Sequence, residues 1–303
     1  MRHSMSTLLA CALMASASTG NAQGIEPRAY SNAPVGVNFV IAGYGYTRGG
    51  LPFDPALPIT NESLTTKNVI LTYTRVLDMG GKSGKVDILV PYTFLSGSAD
   101  FAGEPLQRVI NGFGDPVVRA SINFVGAPAL TLQEFKSYKQ NWIIGASLWA
   151  SIPLGQYDES RLINLGTNRW SIRPEIGVSK AAGAWTLELS AGANLYSANK
   201  EFHGGITRLQ DPIYSTQGHV IYNFTRNVWA SLDATYFADG RSTLDGFRGN
   251  NYQQNWRTGA TFAIPIDIHN SIKLSASKGV SARTGNNFDV IGIAWQYRWG
   301  AGL

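Results

Sequence analysis

Trp185-Thr186-Leu187-Glu188-Leu189-Ser190-Ala191-Gly192-Ala193-Asn194-Leu195 is the stretch on which the reading of the whole chain turns. Trp185, Leu187, Leu189, Ala191, Ala193 and Leu195 alternate with small or polar residues, a period of two that belongs to a β-strand with one apolar face. The same alternation recurs in Val86, Ile88, Val90, Tyr92 and Phe94 and in Trp142 through Ile152. It returns in Val228 through Tyr236, and Ile291, Ile293, Trp295, Tyr297 and Trp299 end the series. Between them sit Ser231, Asp233 and Thr235, so the second face is polar rather than merely less apolar.

Twelve such strands are expected, at about 35–46, 64–77, 85–95, 116–125, 141–154, 169–180, 184–197, 213–225, 228–238, 254–266, 271–280 and 288–299. Most reach the ~9–11 residues that cross a bilayer as a tilted strand. Long linkers rich in Gly, Pro, Asp and Asn follow the odd-numbered strands, and short ones follow most even-numbered strands. The stretch 126–140 breaks this alternation, and its role is left open; Leu130 to Tyr138 within it is the best helix candidate. Alternating long and short connections with an even strand count describe an outer-membrane barrel with long outer loops and short periplasmic turns. In hydrocarbon every backbone N–H and C=O must be paired internally, so a spanning sheet closes on itself. The fold class expected is therefore all-β, a transmembrane antiparallel up-and-down β-barrel. Aromatics gathered at strand ends, such as Tyr44, Tyr46, Trp229 and Trp299, suit the headgroup level.

Composition agrees. Charged residues make up 15% of the 303 residues, against about 25% in a soluble domain, while 44% are hydrophobic and mean hydropathy is −0.08. A lipid-facing apolar half and a polar inner half give that combination. Disorder is excluded, since it needs high charge and few aromatics. A helical membrane protein is excluded beyond the N-terminus, where no apolar run of about 18 residues occurs. A net charge of +5 is too diffuse for nucleic-acid binding.

Met1–Ala22 reads as a signal peptide: Arg2 in the n-region, Leu8 to Ala17 as a short apolar core, and small residues at Gly20-Asn21-Ala22. Residues 23–303 are then the barrel. Leu8-Leu9-Ala10-Cys11 imitates a lipobox, but too few residues precede Cys11. Cleavage removes the one cysteine, leaving no disulfide or thiolate chemistry.

Further stretches carry a resemblance. Gly112-Phe113-Gly114-Asp115-Pro116, Ile152-Pro153-Leu154-Gly155-Gln156-Tyr157, Leu162 to Trp170, Arg173-Pro174-Glu175, Asp211-Pro212-Ile213-Tyr214 and Trp229 to Tyr236 occur in that order, followed by His269 to Lys273 and Trp295 to Trp299. In that order they resemble the MetA-pathway of phenol degradation family over most of the chain after about residue 35. The resemblance implies an outer-membrane barrel associated by name with transport around aromatic catabolism. It implies no catalytic residue.

The polar face supplies the candidate site. Asp87, Arg119, Arg173, Glu175, Glu188, His219, Asp233, Arg257 and Lys273 fall opposite the apolar face and are expected in the lumen. They read either as an ion-pair network bracing the barrel or as a charge-lined permeation path. Each interior arginine is expected beside an acid. Twelve strands suggest a narrow pore, with Gly49-Gly50 and Gly204-Gly205 as candidate inward-folding constrictions. No catalytic residue, metal site or cofactor is expected: His219 lacks an adjacent Ser, and Asp267-Ile268-His269 falls in a turn. The function expected is a channel passing small molecules, aromatic or hydrophobic ones among them, in a Gram-negative outer membrane. An outer-membrane lipase or protease and a structural or adhesive barrel are the alternatives. Expected partners are outer-membrane lipid, a small solute and the barrel-assembly machinery. The last acts through the C-terminal strand, where Gly292, Trp295, Tyr297 and Trp299 resemble an assembly signal followed by four extra residues.

Overall fold

The computed structural model describes residues 26–49, 59–101, 104–161, 163–224, 228–284 and 287–303. The signal-peptide reading of residues 1–22 lies outside the described residues.

Strands dominate the chain: β1 (Asn38–Gly49), β2 (Ile59–Asp78), β3 (Ser83–Phe101), β4 (Glu104–Phe113), β5 (Val117–Val125), β6 (Trp142–Ser151), β7 (Ser171–Ala182) and β8 (Trp185–Tyr196). Then come β9 (Asn199–Phe202), β10 (Ile206–Gln210), β11 (Ile213–Asn223), β12 (Trp229–Asp239), β13 (Ser242–Leu244), β14 (Phe247–Arg248), β15 (Gln253–Pro265), β16 (Asn270–Ser281) and β17 (Phe288–Trp299). Each long strand pairs antiparallel with its neighbour, and β17 pairs with β1 from Asn38↔Trp299 to Gly49↔Phe288, which closes the sheet. The result is a closed barrel of twelve strands, with β4 and β5 sharing one position. Closure leaves no sheet edge for lipid to meet.

The alternation of the sequence becomes inside and outside. On β8, Leu187 and Leu189 are more than half exposed, whereas Thr186 and Asn194, on the opposite face of the strand, are buried. On β12, Leu232 is 70% exposed while its neighbours Ser231 and Asp233 are at 5% or below. An outward Leu beside an inward Asp inverts a soluble protein, and only hydrocarbon around the sheet makes it stable. Rings mark the ends of this apolar belt. Trp142, Trp185 and Trp295 stand at the short-turn end, and Tyr44, Tyr46, Tyr214 and Trp256 at the other. Trp295, Tyr297 and Trp299 stack in sequence along β17, with centroids 6.2 and 5.7 Å apart.

Two departures from expectation concern the connections. The linker between strands three and four is a continued hairpin: β3 extends to Phe101 and β4 returns beside it, from Phe101↔Glu104 to Tyr92↔Phe113. Thr and Ser at alternate positions of β2 and β3 have the β propensity but not the apolar face that marks a membrane strand. Above the barrel, β9, β10, β13 and β14 form a separate four-stranded sheet. Gly204 and Gly205 turn its first hairpin with φ of +79° and +83° and open space around them, so they are turn residues and not a constriction. Gly50 lies outside the described residues.

The connection 126–140 contains α1 (Leu132–Phe135), one turn held by a capping box between Thr131 and Glu134. Its role is visible in its contacts. Val35 donates its N–H to Leu130 O, the Asn32 amide donates to Pro128 O, and Ala127 packs with Tyr30 and Ile143. It clasps the chain where residues 26–37 turn from β1 into the barrel.

A candidate permeation site in the barrel lumen

Inward positions on neighbouring strands converge on the barrel axis, so charges read singly from the sequence meet as clusters. Arg119 on β5 donates Nε to Asp87 Oδ2 on β3 at 2.5 Å, and Thr74 on β2 donates to the other Asp87 oxygen at 2.5 Å. Arg173 and Glu175, two residues apart on the inner face of β7, pair at 2.5 Å. Arg119 and Arg173 lie over the Trp149 ring on β6, at 4.4 and 4.8 Å. A ring between two like charges offers its negative face to both. Across the barrel, His219 Nδ1 meets Asp233 Oδ1 at 2.7 Å, and Thr261 donates to Asp233 Oδ2 at 3.2 Å.

These clusters do not surround open space. The N-terminal segment from Glu26 to Val37 rises from the short-turn end into the lumen, and three of the nine predicted site residues bond it directly. Arg119 Nη1 reaches Glu26 Oε2 at 2.7 Å. Glu188 on β8 accepts the Arg28 backbone N–H at 2.7 Å, and the Arg28 guanidinium bonds Asn223 and lies 4.9 Å over Trp229. The Tyr30 hydroxyl donates to Glu175 Oε1 at 2.9 Å. Lys85 caps the Ala29 and Ser31 carbonyls at 3.3 and 2.8 Å, and Asn123 donates to Tyr30 O at 2.9 Å. Lys273 lies near enough to Glu26 to act on its charge.

Tyr30 needs room, and glycine provides it. Gly145 on β6 and Gly177 on β7 are cross-strand partners that both face inward. A Cβ on Gly177 would stand 2.1 Å from the Tyr30 ring, and one on Gly145 would stand 2.6 Å away. The ring lies flat on a two-glycine slot in the wall.

The nine residues named from the sequence have these partners in the structure. Of the nine, Arg119, Glu175 and Glu188 bond the segment directly, while Asp87 and Arg173 orient those that do. His219 and Asp233 pair with one another. Arg257 donates to Phe288 O and Ser277 Oγ, each at 2.9 Å, with its guanidinium 4.0 Å over the Phe288 ring, instead of lying among Glu175, Glu188 and Asp233. Sequence reasoning missed Glu26, Arg28 and Tyr30, because residues 26–34 have no periodicity, and Lys85, the first residue of the expected strand 85–95, was not among the polar-face residues named. The paired inward glycines were the available signal.

The wall has an irregular place. Below the break at Gly114-Asp115-Pro116, β5 pairs with β6; above it, β4 pairs only with β3. The β6–β7 loop covers that flank and is latched by Asp115. This carboxylate accepts the Gly155 N–H at 2.9 Å, the Thr167 N–H at 2.8 Å and the Thr167 hydroxyl at 2.6 Å. Gly155 and Gly166 allow the close approach, since a Cβ on either would stand 2.7 Å from backbone atoms. Three stretches of the family resemblance, separated in sequence, therefore meet at one point of the wall.

Comparison with known proteins accords with that meeting. The model of the family described as MetA-pathway of phenol degradation matches residues 53–297. The chain belongs to this family. No curated protein matches it. Among solved structures it is similar to the COG4313 outer membrane channel from Pseudomonas putida F1, with a TM-score of 0.79 at 19% identity over 91% of this chain and 100% of that one. More distant likenesses include the CymD monoaromatic hydrocarbon channel, with TM-score 0.39 and 7% identity over 88% of this chain and 89% of that one. The KdgM porin stands similarly, with TM-score 0.43 and 9% identity over 85% and 98%. The first of these shows that this chain shares its barrel fold with a solved outer-membrane channel.

His219–Asp233 has the geometry of a base and its orienting acid. The Thr261 hydroxyl donates to the carboxylate and not to the imidazole, and the inward Ser231 Oγ has no hydrogen-bond partner among the described residues. A positioned nucleophile is therefore not among the contacts of this pair. Among the described residues no group of His, Cys, Asp and Glu has a metal-binding arrangement.

Proposed function

We propose that this protein is a channel of the Gram-negative outer membrane for small, largely apolar solutes, aromatic ones among them, and not an enzyme. One observation carries the reading. The lumen is crossed by the chain's own N-terminal segment, held by side-chain contacts on β3, β5, β7, β8 and β11 instead of by a backbone ladder. Each such hydrogen bond to a charged group contributes about 1.5–3 kcal/mol, and the contacts break one at a time where a backbone ladder would give way as a unit. A segment held this way narrows the path without sealing it permanently. Asp87, Arg119, Arg173, Glu175, Glu188 and Lys273 are then the cradle of the narrowing, and His219, Asp233 and Arg257 line the opposite side.

The family's association by name with phenol degradation supports an aromatic solute. The low-charge composition supports residence in lipid, and the barrel architecture supports the outer membrane. Export through a signal over residues 1–22, and insertion by the assembly machinery through β17, complete the proposal. The test is flux into liposomes bearing the folded, heat-modifiable barrel, with phenol and toluene against glucose. Faster entry of the aromatics than in protein-free liposomes is expected. Rates equal to protein-free liposomes for every solute would overturn the reading.

A further inference from the structure

On the lipid-facing surface, positive charge gathers in one place at the long-loop end. Strand register sets it out in two outward rows. In the upper row Lys278 on β16 stands opposite Asp289 on β17, Asp289 opposite Arg48 on β1, and Arg48 opposite Thr65 on β2. In the row below, Tyr46 on β1 stands opposite Lys67 on β2. The three cations and Asp289 are exposed. Their face is the lipid face, because Tyr46, Val69, Leu274 and Ile291, two or four residues along the same strands, are exposed on it. Neighbouring staves lie about 4.8 Å apart, so Arg48 and Lys278 are separated by about 10 Å across Asp289, and Lys67 is the diagonal neighbour of Arg48 at about 7–8 Å.

Among the described residues no other Lys or Arg lies on the outward face of a barrel strand at this end, where other staves present residues such as Tyr214, Trp256 and Ile172. Nor does any of the three cations, or Asp289, have an ion pair among the described residues. A cation on a lipid face is costly at mid-bilayer and nearly free at the interface. Arg48, Lys67 and Lys278 are each the first charge above the apolar stretch of their own strand, which is the interface. Three cations to one acid leave the patch positive. Arginine forks onto phosphate and lysine meets it as a point charge, so the patch suits phosphate oxygens. Asp289 divides the charge into two poles, Arg48 with Lys67 on one side and Lys278 on the other. The complement is therefore one headgroup with two separate anionic groups, not a single phosphate.

We propose that Arg48, Lys67 and Lys278 bind the two phosphates of a bisphosphorylated glycolipid in the outer leaflet, with its acyl chains lying down the wall over Ile291 and Val69. The long loops of such a barrel face the cell exterior, so this leaflet is the one the patch meets. The site goes beyond the channel reading and rests only on the outer-membrane placing of the barrel.

Native mass spectrometry of the detergent-solubilised, full-length mature barrel, titrated with lipid A in the presence of EDTA, tests the site. EDTA removes divalent cations that would bridge Asp289 to phosphate. Saturable binding of lipid A is expected, at least about tenfold tighter than monophosphorylated lipid A or phosphatidylglycerol and undisturbed by inorganic phosphate. Each cation beside an anionic lipid contributes about fivefold. Arg48→Gln, Lys67→Gln and Lys278→Gln should thus each lose about fivefold, and the triple variant about a hundredfold. Asp289→Asn removes a repulsion and should tighten binding, whereas an acid that merely braced the cations would loosen it when removed. Arg75→Gln, which removes an exposed cation at the short-turn end of β2, should change nothing. The singles and Asp289→Asn decide the matter if the triple variant fails to fold. Phosphatidylglycerol bound as tightly as lipid A overturns the site, as does displacement of lipid A by inorganic phosphate. So do folded single variants that bind lipid A as the wild type does, or an equal loss from Arg75→Gln. Solute flux without lipid A binding removes the site and leaves the channel, and lipid A binding without flux does the reverse.

Discussion

Gly177→Ala should open the channel, although it adds one methyl group to the barrel wall and touches nothing else. The new Cβ would stand 2.1, 2.5 and 2.8 Å from three atoms of the Tyr30 ring, where ordinary contact begins at 3.4 Å. The ring must retreat by more than an ångström. It cannot slide along the slot, because Gly145 beneath its other edge leaves room for a hydrogen and no more. A shift of that size also breaks the 2.9 Å bond to Glu175. Ejecting a buried ring costs about 3–5 kcal/mol, and losing a hydrogen bond to a charged group about 1.5–3 kcal/mol. The losses overlap, so about 3 kcal/mol is the conservative figure for the weakened grip on the segment. At about 1.4 kcal/mol per decade, the displaced state gains roughly a hundredfold in population. Single-channel conductance in planar bilayers reads this out. Larger or more frequent open events are expected for Gly177→Ala and for Tyr30→Ala, and the double variant should add little, since both remove one contact. Gly45→Ala is the control, a lumen-facing glycine with nothing within 4 Å of its would-be Cβ. Wild-type conductance from a correctly folded Gly177→Ala barrel, or an equal rise from Gly45→Ala, would refute the reasoning.

Leu189→Arg places a charge on the lipid face of β8 and should impair folding into liposomes by about 2–4 kcal/mol, whereas Ser190→Arg, pointing inward, should cost much less; equal losses in denaturant titrations would mean that the faces are wrong. Glu188→Gln removes the negative charge that receives the Arg28 N–H and the Ser179 hydroxyl. It should shift the reversal potential under a salt gradient toward anions, and an unchanged potential would confine Glu188 to bracing. Asp115→Ala removes the acceptor of three hydrogen bonds at the wall, worth about 1.5–3 kcal/mol each. Limited proteolysis of whole cells should then cut between residues 156 and 166 at least tenfold faster, and an uncut loop would show that the latch is redundant.

The barrel was legible because its physics is local. Lipid selects one face of each strand, and period-two alternation writes that selection into every stretch such as Trp185 to Leu195. The terminal strand of the reading, 288–299, coincides with β17. Where no lipid bears on the chain, the signal fades: β4 and the upper parts of β2 and β3 rise beyond the belt, and their Ser, Thr and Gln read as loop. The five described segments other than barrel staves, β4, β9, β10, β13 and β14, were all missed for that reason.

The lumen was legible only by half. Inward position follows from period two, so all nine candidates could be placed on the inner face. Which charge meets which depends on strand register and on a segment that belongs to no strand, and neither leaves a mark in composition or spacing. Arg119 was expected beside an acid and has two, Asp87 from the wall and Glu26 from the segment. That double pairing bears on both expected roles of the network. An arginine serving only the wall would be satisfied by Asp87 alone, and one serving only a solute path would leave Nη1 open to water. Instead Arg119 spends Nε on the barrel and Nη1 on the segment. Removing the segment from the lumen exposes a charged donor without dismantling the wall. Under the channel proposal the bracing network and the path lining are the same residues in two occupancy states, with the N-terminal segment as the variable between them.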